Sequence, residues 1–66
     1  MDIISFSEYL LKELRAQIEL RSEHLTYGGA SDWDAYCKVT GEITGLSSAE
    51  NLIKDLLKRM EKVNDD

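Results

Sequence analysis

The sequence contains no proline, one cysteine and one histidine in 66 residues. A lone Cys37 cannot close an internal disulfide, and Cys37 with His24 falls far short of a structural zinc set. No apolar run approaches the roughly 20 residues of a membrane-spanning helix, and a charged fraction of 32% argues against such a span as well. The start, Met1-Asp2, lacks a basic region followed by an apolar one, so no secretory signal is expected. A free thiol without a signal fits a reducing cytoplasm. Basic charge is scarce too. A net charge of −5 argues against nucleic acid or an acidic membrane as the main partner. Neither a phosphate loop nor a dinucleotide glycine pattern nor a nucleophile elbow is present, and a short helical hairpin offers no natural concave pocket. The expectation is a protein that is not an enzyme and needs no cofactor or metal.

Chains below about 70–80 residues rarely bury a core worth more than 3–5 kcal/mol without a staple. With disulfide and metal set aside, oligomerisation is the staple that remains.

What is present reads as two helices around one turn. Ser5 followed by Glu8 has capping-box spacing, and Leu11, Leu14, Ile18 and Leu25 recur on one helical face, with Arg21 in the remaining seam position. This predicts a first helix over about 5–27. Gly28-Gly29 reads as a C-cap and turn over 28–31. Ser31 with Asp34 supplies the next cap, and a second helix is expected over about 32–63, followed by an acidic tail at 64–66. No strand signal appears. The fold expected is all-α: an antiparallel αα-hairpin, with two copies dimerising into a four-helix bundle.

The second helix carries a coiled-coil-like seam of Leu46, Ala49, Ile53, Leu56, Met60 and Val63, preceded by Tyr36, Val39 or Thr40, and Ile43. Ile43, Leu46 and Ala49 are spaced three and three, which implies a phase shift at Gly45. Glu50–Lys54 and Asp55–Arg59 are expected as solvated i,i+4 pairs. Folding about 28–31 would bring position i near 59 − i, so Leu14 and Ile18 would meet Gly45 and Gly41. Leu56, Leu57, Met60 and Val63 would then project past the first helix, an exposed apolar end that a second copy could cover.

Gly41 and Gly45, four residues apart inside a helix, each cost about 1 kcal/mol relative to Ala. Their spacing suggests close approach of another backbone, either within the hairpin, the favoured reading, or from a partner helix. On the first reading, Gly45→Leu should overpack the crossing and destabilise by roughly 1–3 kcal/mol. Trp33, beside Tyr36 at the hairpin tip, is either a lid on the core or an exposed anchor. Cys37 reads as a small buried packing residue and His24 as a residue of the first helix's last turn. The interface residues expected are therefore Trp33, Tyr36, Gly41, Gly45, Leu56, Leu57, Met60 and Val63.

The run Tyr36-x4-Gly41-Glu42-Ile43-x-Gly45-Leu46-x2-Ala49-x3-Ile53 resembles very short, uncharacterised helical proteins of tailed, podovirus-type bacteriophages. The likeness covers about two-thirds of the chain, from near Leu25 to Met60. It implies a setting in the infected bacterial cytoplasm or the virion, and it transfers no catalytic residue. The function expected is that of a non-catalytic minor virion or assembly component that binds itself and a phage structural protein. One alternative is a host-takeover factor that binds and inhibits a bacterial enzyme. Another is an RNA-binding hairpin dimer, similar in architecture to plasmid copy-control proteins. Its first helix would present Lys12, Arg15 and Arg21, but these are mixed among Glu8, Glu13, Glu19 and Glu23, a poor RNA platform.

Overall fold

The computed structural model describes residues 2–64, with side chains described through 61. Helix α1 spans Ile3–Thr26 and α2 spans Trp33–Asn64. The two pack antiparallel as an all-α hairpin, and no strand occurs among the described residues. Helix α1 begins two residues earlier than its sequence suggests because Asp2, not Ser5, is the N-cap. The Asp2 carboxylate accepts the Ser5 amide at 2.7 Å. That hydrogen bond holds the Asp2 carboxyl below its ordinary pKa. Ser5 is spent as the donor in the cap, and Ile3 and Ile4 join the helix ahead of it.

The end of α1 follows the glycines as expected. Gly28 adopts φ +76°, the left-handed conformation that disfavours a side chain. The Gly28 amide donates to the Leu25 carbonyl at 3.1 Å and the Gly29 amide to the His24 carbonyl at 2.8 Å. This pair of bonds is a Schellman motif with Tyr27 as the C-cap. Gly29 lies so close over the His24 imidazole that a Cβ there would collide with the ring. Asp32 rather than Ser31 caps α2, accepting the Ala35 amide at 2.8 Å.

Both helices carry unbroken seams of alternating three- and four-residue steps. On α1 the inward positions are Leu11, Leu14, Ile18, Arg21 and Leu25, as the periodicity predicts. On α2 they are Val39, Ile43, Leu46, Glu50, Ile53 and Leu57. The phase shift expected at Gly45 does not occur. It arose from assigning Ala49 and Leu56 to the seam by apolar character, when Glu50 and Leu57 hold those places. Arg21 and Glu50 thus stand as single charged residues in otherwise apolar seams.

The pairs Arg15–Glu50 and Arg21–Glu42 place position i opposite 63 − i to 65 − i, not 59 − i. In this register α1, which starts at Ile3, runs alongside α2 almost to Met60. Leu57 is accordingly half-buried, while Leu56 and Met60 remain exposed. Val63 lies outside the residues whose side chains are described.

The hairpin measures 52 × 19 × 13 Å, with a radius of gyration of 15.4 Å. A compact domain of this length would have about 11 Å. Its accessible surface is 5290 Å², against about 4,200 Å² for a typical folded monomer of its mass. Among the described residues only Ile18, at 6% exposure, and Glu50, at 5%, are buried. One layer of two helices has no second layer to close a core.

Candidate functional site

The hairpin has two broad faces, one on each side of the plane containing both helix axes. Residues seven apart share a stripe, so each face can be followed along the chain. One face carries Glu8, Arg15 and Ser22 on α1, with Ser47, Lys54 and Glu61 on α2. Here Arg15 Nη2 donates to Glu50 Oε1 at 2.5 Å, and Lys54 Nζ reaches the same oxygen at 3.4 Å. Burial of Glu50 pushes its pKa up. The hydrogen bonds and charges of Arg15 and Lys54 outweigh that and hold the carboxylate below its ordinary value. The expectation of a solvated Glu50–Lys54 pair is corrected: the pair forms, but its carboxylate is inside. Asp55–Arg59 forms at 2.7 Å and is exposed, as expected.

The opposite face changes character halfway along. Its α1 stripe runs Ile3, Leu10, Gln17, His24, and its α2 stripe runs Glu42, Ala49, Leu56. Near the open end, Ile3, Leu10, Ile53, Leu56, Leu57 and Met60, with Ser7, line a hollow of about 180 Å³. Toward the turn the face becomes more polar, around a hollow of about 370 Å³ lined by Gln17, Leu20, Arg21, His24, Val39 and Glu42. Arg21 donates from Nε to Glu42 at 3.1 Å and from Nη1 to the Gln17 side chain at 2.6 Å. One end of this face is therefore apolar and uncovered, and the other has its polar groups already paired.

The tip is a third surface. The Trp33 and Tyr36 rings stack at 5.6 Å with an interplanar angle of 23°. Trp33 is 73% exposed and Tyr27 85%. Trp33 is thus no lid on the core, and of the two sequence readings only the exposed one fits. Cys37 is exposed rather than buried. It lies on the side of α2 turned away from α1, as do Gly41 and Gly45.

The within-chain reading of the glycines is overturned. A Cβ at Gly41 or at Gly45 would meet nothing within 4 Å. Both glycines point away from α1, because Leu46 and Glu50 hold the positions that face it. Of the residues expected at an interface, Leu56, Leu57 and Met60 come together around the open-end hollow, and Trp33 with Tyr36 forms the tip. Gly41 and Gly45 belong to neither group. Glu50 was missed because its charge suggested solvent. The signal that could have found it is the uninterrupted four-three-four spacing through Leu46, Glu50, Ile53 and Leu57.

Among the described residues, no group of three or more His, Cys, Asp or Glu is placed to hold a metal ion, and no helix is long and apolar enough to cross a membrane. Comparisons with known protein families, curated proteins and solved structures find no match.

Proposed function

We propose that this protein acts by binding protein, beginning with a second copy of itself, and carries out no chemistry of its own. The observation that carries the reading is the set of large apolar side chains left open beside so small a core. Ile3, Phe6, Leu52, Leu56 and Met60 are all exposed toward the open end, while Ile18 is the one buried apolar residue described. A lone hairpin of this kind is marginal, and pairing two hairpins into a four-helix bundle supplies the missing layer. The biological setting proposed is that of a minor phage virion or assembly component, which rests on the sequence resemblance.

The stacked aromatic tip favours a second reading, a factor that binds a host enzyme. Exposed Trp and Tyr are the side chains that most often anchor interfaces. An RNA-binding role is weaker still on structural grounds, since Arg15 and Arg21 are engaged by Glu50 and Glu42. Sedimentation equilibrium at micromolar concentration tests self-association. A dimer is expected, and a monomer with a cooperative melt would defeat the proposal. Affinity purification from infected cells then separates the settings: phage structural proteins support the first, and a host enzyme supports the second.

A further inference from the structure

We propose that the second copy docks on the apolar end of one broad face, open end over open end, with the two aromatic tips pointing in opposite directions. This deepens the self-association reading and rests on it. Three observations carry the geometry.

The first is area. The chain exposes roughly 1,000 Å² more than a compact monomer of its mass would. A standard interface removes about 800 Å² from each partner. The excess is therefore of the size that one further copy covers.

The second is the distribution of polarity between the faces. The face bearing Glu8, Arg15, Lys54 and Glu61 has a smaller hollow of Ile4, Leu57 and Met60, but it is flanked by the Glu8 and Glu61 carboxylates, and covering this face would strip water from the Arg15–Glu50–Lys54 group. The other face offers Ile3, Leu10, Ile53, Leu56 and Met60 around its hollow without an interrupting charge.

The third is where that apolar surface stops. It gives way at Gln17, where the Gln17–Arg21–Glu42 network begins. A two-fold pairing is isologous, so the same patch must meet itself. Full antiparallel overlap would lay the Leu56 end of one copy on the Arg21–Glu42 pair of the other. A side-by-side parallel pairing would bury both polar networks against each other. A two-fold axis through the apolar patch, perpendicular to the long axis, avoids both penalties. It buries the uncharged lining of the hollow and leaves each Gln17–Arg21–Glu42 network in water. The product is a long dimer with a four-helix middle and a two-helix arm at each end, each arm carrying Tyr27, Trp33 and Tyr36.

The native chain provides its own probe, since its one cysteine, Cys37, is exposed near the tip. A nitroxide on Cys37 reports the distance between the two tips by pulsed dipolar spectroscopy. Cys37 lies sixteen to nineteen residues along α2 from Ile53 and Leu56. At 1.5 Å per residue, the tips-apart dimer places the labels about 48–57 Å apart. A distance under about 25 Å would mean a parallel pair and would overturn this geometry while leaving self-association intact. A monomer, seen by sedimentation on the same sample, would overturn both.

Surface variants check the face itself. Leu56→Glu and Ile3→Glu should each weaken dimerisation at least tenfold with helix content retained, whereas Ala16→Glu, on the outer side of α1, should not. A folded Leu56→Glu or Ile3→Glu protein that dimerises like the parent would place the interface elsewhere and sink the proposal.

Discussion

Along its inner side, α2 presents Val39, Ile43, Leu46, Glu50, Ile53 and Leu57 to α1, whereas its outer side presents Gly41, Gly45 and Leu52 to solvent. The inner side includes a carboxylate and the outer side a large aliphatic residue. Position in the three-four period decides which is which, and residue type does not. The inner side can hold a charge because two cations reach it from the rim. Arg15 comes across from α1 and Lys54 from one turn further along α2. An unpaired carboxylate at that place would be strongly unfavourable. That dependence gives the hairpin its register. Sliding α2 by a heptad along α1 would move Glu50 away from Arg15 with no second arginine in the corresponding place. Arg21, in the α1 seam, is tied to Glu42 in the same way. A single charged residue in an apolar seam is a known device for fixing register, obtained at some cost in stability.

The contrast is broken most severely from the inner side. Ile18→Ala removes the one described apolar side chain that is buried. Truncations of this kind cost about 2–5 kcal/mol. In so small a fold that is a large share of the total, so the urea midpoint should fall sharply or the cooperative transition disappear. The comparison must be made at one protein concentration, because association would add to apparent stability. An Ile18→Ala protein that unfolds like the parent would mean the α1–α2 seam is not what holds the structure together.

Glu50 gives the next largest effect, and it has a pH signature. Its folded-state pKa lies below the ordinary glutamate value because Arg15 and Lys54 outweigh the opposing effect of burial. A depressed pKa stabilises the folded state above the unfolded-state value, and that contribution is lost as pH falls through the folded one. Glu50→Gln should therefore lower the melting temperature at neutral pH and flatten its decline in acid. Arg15→Ala should lower it as well, leaving Lys54 as the remaining partner. If the Glu50→Gln melting temperature followed the parental pH profile without offset, the buried pair would have no part in stability.

The hairpin, its turn and the α1 seam could be read from sequence because each rests on local chemistry. Gly28 needs a left-handed backbone, and leucines three and four apart need one face. The bounds moved by only one or two residues, since Asp2 and Asp32 outcompeted Ser5 and Ser31 as caps. What sequence did not show is the register. It depends on which charged residues of two distant segments meet, and no local pattern records that Arg15 will find Glu50. With the register displaced, Gly41 and Gly45 were assigned to the crossing and Glu50 to solvent. The open-end surface was legible in part. Leu56, Leu57 and Met60 belong to it, but Ile3 and Leu10 complete it from a helix that starts earlier than its serine suggested.

The smallest effect, and the one that sharpens the contrast between the two sides, comes from the outer glycines. Gly45 sits in the interior of α2 with a helical backbone and open space where a Cβ would stand. A helix-interior glycine is about 1 kcal/mol less favourable than alanine, chiefly through the backbone freedom lost on folding. With nothing to strike, Gly45→Ala should recover about that much and raise the melting temperature by several degrees. Gly45→Leu should also melt no lower than the parent, the reverse of the overpacking expected if this glycine lay in the crossing. The two variants together locate the glycine edge. Should Gly45→Ala stabilise while Gly45→Leu destabilises in a concentration-dependent way, this edge would be meeting another chain, and the open-end face would not be the only contact between copies. If both stabilise independently of concentration, the outer side of α2 faces water, and the contrast with Glu50 stands as drawn.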